Sequence, residues 1–178
     1  LYRMYYVNSD SPQERKISYS ESIDAYKWDT PHNITLIGAT RRPWHIDVNY
    51  IDGIYYLINY DMKDISVWNS NDGTTFCFQK QLLSPSVKAS FYGSKLYRAC
   101  IIKDDKGYKV FFSGNDFIHT YIGLLEGDNI SNLKFAPIGY HLSFWGMILY
   151  YIRLRLFSFN YIINRIKEKR KAKNKKNG

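Results

Sequence analysis

The strongest constraint on this chain is that it repeats itself. Stretches with strand character begin at Leu1, Ile54 and Tyr108, spaced 53 and 54 residues apart. Ile17–Trp28 (ISYSESIDAYKW) matches Ile65–Phe76 (ISVWNSNDGTTF) at an offset of 48, pairing Ser22 with Ser70, Asp24 with Asp72 and Trp28 with Phe76. Pro43–Gly53 matches Leu96–Gly107 with one residue inserted, which sets His45 opposite Arg98. A period of about 50 residues made of short strands and turns predicts a β-propeller. A β-sandwich also contains similar hairpins, but it does not repeat at one period.

Within the repeat, Pro43–Asp61 (PWHIDVNYIDGIYYLINYD) is the clearest unit. Asp52-Gly53 between two apolar runs predicts a tight hairpin. Ile54–Ile58 is plain sheet material, aromatic and β-branched. The preceding strand instead carries Trp44, His45 and Asp47. Blades have four antiparallel strands, the first lining the central channel, so the polar Pro43 and Leu96 strands are expected innermost. The Ile54 and Tyr108 strands come second and the Ile65 segment third. Pro31–Arg42 reads as an irregular connection.

This count gives about two and a half blades over residues 1–140, followed by an apolar helix with a basic tail over 141–178. Such a piece cannot close a ring, and the expectation is the C-terminal part of a longer protein. Aromatic residues make up 17% of the chain, with 17 tyrosines, a level that suits strands and saccharide-stacking surfaces.

The net charge of +9 is local. Residues 151–178 hold ten Lys/Arg against one Glu, and the rest of the chain is neutral. The body therefore gives no electrostatic case for nucleic acid, and no specific nucleic-acid partner is expected. Residues 142–176 suit an interfacial helix on an anionic membrane surface, or a helix packed on the body with a solvated end. Arg153 and Arg155 argue against a bilayer span. Cys77 and Cys100 are too few for a disulfide framework or a zinc site, and are expected to be buried free thiols.

The segments PWHIDVNYIDGIYYL, ISVWNSNDGTTF, LLSPS, LYRACIIKDDKGYKVFFSG and YIGLLEG resemble the glycoside hydrolase family 43 superfamily. These are five-bladed β-propellers that include arabinanases, xylosidases and fructosidase-like enzymes. The resemblance covers residues 1–135 and implies a saccharide substrate. It also implies catalysis by two Asp and one Glu from the inner strands of the first three blades, which by the blade count would precede Leu1. Glu14, Glu21, Glu126 and Glu168 all miss the predicted inner strands. Hydrolysis needs two carboxylates across the scissile bond, so this polypeptide is not expected to turn over substrate alone.

What remains here are subsite candidates. His45 and Asp47 lie two apart on a strand and share a face. Asp47 would accept hydrogen bonds from hydroxyls or tune a neighbouring acid's pKa. His45 would bind a hydroxyl, a water or a metal. Satisfying backbone groups around the channel is the alternative for both. Arg98 would pair with Asp47 or clamp a carboxylated sugar. Trp44 and Tyr97 precede these residues, as stacking platforms or as blade-packing aromatics. No cofactor is called for, with a channel-bound Ca2+ left open.

Overall fold

A computed structural model describes residues 1–9, 15–38, 41–85, 92–116, 119–136 and 152. The expected apolar helix and basic tail of 141–178 lie outside the described residues, Ile152 excepted. The described chain is all-β, a partial β-propeller of three successive sheets. The first sheet contains β1 (Tyr2–Asn8), β2 (Lys16–Ser22) and β3 (His32–Asn33), in that order. The second contains β4 (Thr35–Ile37), β5 (His45–Ile51), β6 (Ile54–Tyr60), β7 (Ile65–Ser70) and β8 (Thr75–Leu83), ordered β4-β8-β7-β6-β5. The third contains β9 (Lys95–Asp104), β10 (Gly107–Asn115), β11 (Thr120–Gly127) and β12 (Lys134–Phe135), ordered β12-β11-β10-β9.

The polar strands β5 and β9 each form one edge of their sheet and pack against each other. They are the expected innermost strands. β1 holds the position of β6 and β10, so the first sheet has no counterpart of β5 among the described residues. The connection expected to be irregular contains β3 and β4. β4 leaves the first sheet and runs parallel to β8 of the second, pairing Leu36 with Phe76.

Local chemistry fixes the hairpins. Asp52 and Gly53 have φ of 52° and 83°, the two positive values a type I′ turn requires, and Ile51 pairs with Ile54. One blade later Asp104 pairs with Gly107, whose φ is 115°, and the Asp104 carboxylate accepts the Lys106 N–H at 2.9 Å. His45 and Arg98 stand six residues before the paired turn residues Ile51 and Asp104, so their equivalence holds. The expected insertion is not at the turn: Gly107 occupies the place of Ile54, and the hairpins match at an offset of 53 from there to Ala99 and Phe112, beyond which β9 and β10 shift register.

The turn after each third strand repeats bond for bond. Asp24 Oδ1 accepts the N–H groups of Tyr26 and Lys27, both at 2.9 Å. Asp72 Oδ1 accepts those of Thr74 and Thr75 at 2.7 and 2.9 Å. Ser22 and Ser70 support their turns alike, each Oγ accepting an N–H three residues on, from Ala25 and from Gly73. Asn129 makes the same pattern in the third sheet, accepting from Ser131 and Asn132 at 3.0 and 3.1 Å. Trp28 and Phe76 do not correspond: Phe76 is fully buried on β8, whereas Trp28 lies in a partly exposed loop.

The middle sheet is buried on both faces. Tyr56, Ile58 and Tyr60 of β6 join a core with Leu96, Ile101, Val110 and Phe112 of the third sheet. Leu57 points the other way, into a core with Ile17, Trp68 and Phe76. Period-two alternation between two apolar neighbours is why IYYLINY reads as a nearly continuous apolar run. The same alternation corrects the cysteines. Phe76 and Ile101 take the core positions, so adjacent Cys77 and Cys100 point away from those cores, and both residues are exposed rather than buried.

Candidate functional site

The three sheets converge on a cleft of about 680 Å3, lined by Tyr5 and Tyr6 of β1, residues 44–47 entering β5, residues 98–100 of β9, and Phe111, Phe112 and Ser113 of β10. Trp44, His45, Asp47 and Arg98 are thus brought together. Tyr97 is not part of the lining; it packs behind His45 with ring centroids 4.5 Å apart in an edge contact.

Trp44 is anchored by its backbone N–H, donated to the Tyr60 carbonyl at 2.8 Å. The Arg15 guanidinium covers its indole at 3.4 Å from the ring centroid, so one face is already occupied. His45 lies between aromatic neighbours, parallel to Tyr60 at 6.2 Å and edge-on to Trp44. Its Nε2 is shielded from solvent and has no hydrogen-bond partner among the described residues. Burial lowers the His45 pKa, and the positive charges of Arg98, Arg15 and Lys95 lower it further. The imidazole is therefore held neutral, one nitrogen accepting and the other donating.

Asp47 is half-buried. Its Oδ2 accepts from Asn49 Nδ2 at 2.7 Å and from the Ile101 backbone N–H at 3.0 Å. Desolvation raises its pKa, and the two hydrogen bonds oppose that rise without cancelling it. Among the described residues no ion pair joins Asp47 to Arg98. Arg98 is exposed, with its guanidinium 5.4 Å from the Tyr97 ring centroid and its N–H donated to Ser113 Oγ at 3.1 Å.

No group of three or more His, Cys, Asp or Glu side chains converges among the described residues, and Asp47 Oδ2 is already engaged by two N–H groups. Sequence reasoning missed Tyr5, Tyr6 and Arg15, whose separation along the chain hides their convergence. It also missed Asn49, although the alternation Asp47, Asn49 was a visible signal that the two share a face.

No protein-family model and no curated protein matches the chain. Solved structures do. An N-acetylgalactosamine deacetylase from F. plautii, in complex with blood group B trisaccharide, aligns with TM-score 0.54 and 19% identity over 63% of this chain and 36% of its own. A glycosidase-like protein from Bacteroides thetaiotaomicron aligns with TM-score 0.54 and 14% identity over 74% of this chain and 48% of its own. A glycoside-hydrolase-like protein from Bacteroides ovatus gives TM-score 0.55 and 12% identity, with the same coverage, 74% and 48%. The chain spans less than half the length of each of these structures. At such identities the likeness is one of fold.

Proposed function

We propose that the chain forms one wall of a saccharide site in a carbohydrate-active propeller related to glycoside hydrolase family 43, with His45, Asp47, Trp44 and Arg98 as subsite residues and Tyr97 as support. The observation that carries this reading is the convergence of Trp44, His45, Asp47 and Arg98 with Tyr5 and Tyr6 on one cleft. Polar side chains in the lining suit the hydroxyls of a sugar, while aromatic walls suit its C–H faces. The carbohydrate-related names of the structures sharing this fold support the reading.

Asp47 is the one carboxylate in the described lining, and its bonds to Asn49 and Ile101 suit positioning rather than acid–base work. In this reading hydrolysis of a glycosidic bond belongs to a longer polypeptide whose other blades add the acid and its partner. Residues 1–178 then bind without turning over. The test is titration of the chain with arabino- and xylo-oligosaccharides, beside aryl-glycoside assays of it and of a longer polypeptide. Saturable binding that weakens about tenfold in His45→Ala, on loss of one hydrogen bond and its packing, supports the site. Binding indifferent to that change removes it. Binding without hydrolysis by any longer form favours a non-catalytic carbohydrate-binding propeller.

A further inference from the structure

Three cations gather around one end of the cleft. The Arg15 guanidinium lies over the Trp44 indole, while Arg98 and Lys95 Nζ lie 5.4 and 5.8 Å from the Tyr97 ring centroid. Trp44 and Tyr97 are both in edge contact with His45, so the three charges surround one imidazole. Every charge that acts on His45 is positive: Arg98, then Arg15, then Lys95. Elsewhere Arg3, Arg41, Lys103 and Lys109 each meet a carboxylate, but none of these three makes an ion pair among the described residues. Asp47, the one acid of the described lining, has its Oδ2 held by Asn49 and by the Ile101 N–H.

The fold also presents Arg98 through a local device. β9 pairs with β10 at Ala99–Phe112 and again at Leu96–Gly114, so Tyr97 and Arg98 together stand against Ser113 alone. Two residues against one is a β-bulge, which re-aims side chains and is frequent beside functional sites. Ser113 Oγ accepts the Arg98 backbone N–H at 3.1 Å and lies 3.4 Å from the Arg98 carbonyl. The backbone is thus held, while the exposed side chain lines the cleft. A guanidinium fork matches a carboxylate with two parallel hydrogen bonds. The hydroxyls of a neutral sugar would leave three like charges unanswered. A cation would be repelled by them.

We infer that the cleft selects an acidic saccharide, one bearing a uronic carboxylate that the Arg98 guanidinium grips, with Arg15 and Lys95 adding attraction. This rests on the saccharide reading of the cleft and narrows it to a charged substrate class. The test titrates the full chain with two matched pairs: tetragalacturonate beside its methyl ester, and a glucuronic-acid-branched xylotetraose beside plain xylotetraose. At least one acid should bind about tenfold more tightly than its neutral partner, the gain typical of a charged hydrogen-bonded pair. In Arg98→Gln that preference should fall towards one, and Arg98→Lys, which keeps the charge without the fork, should restore part of it. Added salt should shrink the preference in the wild type. With the acid bound, the His45 ring should titrate higher than with the neutral partner bound, because a carboxylate offsets the charge of Arg98. Neutral sugars that bind and weaken in His45→Ala, with neither acid preferred, would overturn the inference and leave the saccharide site standing. No saturable binding by any of the four would overturn both. An acid preference unchanged in Arg98→Gln, with the His45 titration unmoved, would place the acid on the basic residues of 151–178 and equally count against this assignment.

Discussion

Asp47 of β5 accepts the backbone N–H of Ile101 of β9 at 3.0 Å, joining the inner strands of two adjacent sheets. The Ile101 N–H is not used within its own sheet because β9 is an edge strand there. A side-chain acceptor from the neighbouring sheet satisfies it.

This bond predicts a split between two substitutions. Asp47→Ala strands the Ile101 N–H in a half-buried place and should cost about 1–3 kcal/mol in urea unfolding. Asp47→Asn keeps an oxygen for both donors and removes a desolvated charge, so it should cost less than the alanine change. The raised Asp47 pKa sets the sign of the pH effect. Its contribution is fully present below the ordinary carboxyl range and is lost as pH rises through the raised folded value. That slope should vanish in Asp47→Asn, and a slope unchanged in the variant would assign it to another group.

Asp72 has the opposite linkage. The N–H groups of Thr75 and Thr74 and the hydroxyls of Thr74 and Ser70 hold its carboxyl well below the usual carboxylate range. Its contribution is present above the ordinary carboxyl pKa and is lost as pH falls through the depressed folded value. Asp72→Ala should destabilise by about 1 kcal/mol, the loss typical of a local side-chain cap. It should also flatten the acid limb of the stability–pH curve. Urea midpoints measured from neutral pH downward check both effects.

Much of this architecture was legible in the sequence, for local reasons. Asp52-Gly53 forced a type I′ hairpin, and the Ser22/Ser70 and Asp24/Asp72 pairs marked turns whose hydrogen bonds are made within four residues. The third copy was hidden because Gly127 and Asn129 stand in place of the serine and the aspartate, although amide and carboxylate oxygens accept the same N–H groups. β4 was hidden for another reason: its pairing with β8 is parallel and non-local, and nothing in Thr35–Ile37 announces so distant a partner. In the cleft, the polar entry to β5 marked His45 and Asp47. The partner of Asp47 is a backbone N–H, which every residue but proline carries and no sequence distinguishes.

Gly73 is where the first two sheets are pinned. Its carbonyl accepts the Tyr5 hydroxyl at 2.8 Å, and the neighbouring Asp72 carbonyl accepts Arg3 Nη1 at 2.9 Å. Its φ is 72°, and a Cβ there would run into Tyr5 Oη and Arg3 Nη1. Gly73→Ala should therefore cost more than about 1 kcal/mol, the left-handed penalty alone, because both pins must also shift. Thermal unfolding of the variant beside Tyr5→Phe, which removes one pin without touching the turn, separates the backbone strain from the lost contact.

The neutral state of His45 is set by burial first and then by the charges of Arg98, Arg15 and Lys95. In an NMR titration its ring should take up a proton below the ordinary imidazole value of about 6.5. Arg98→Gln removes the charge that acts most strongly on His45 and should move its pKa part-way back up. Arg98→Lys, which keeps the charge, should leave it nearly in place. Added salt should raise it slightly through the exposed Arg98, but burial is not screened and the value should stay depressed. The sign for stability follows: with a depressed folded pKa, the contribution of His45 is present above the ordinary value and is lost as pH falls through the folded one. A hydroxyl bonded to the neutral ring would lower the pKa further, because protonation would remove its acceptor nitrogen. An oligosaccharide seated in the cleft should therefore depress the His45 titration, and binding that leaves it unmoved would place the sugar elsewhere.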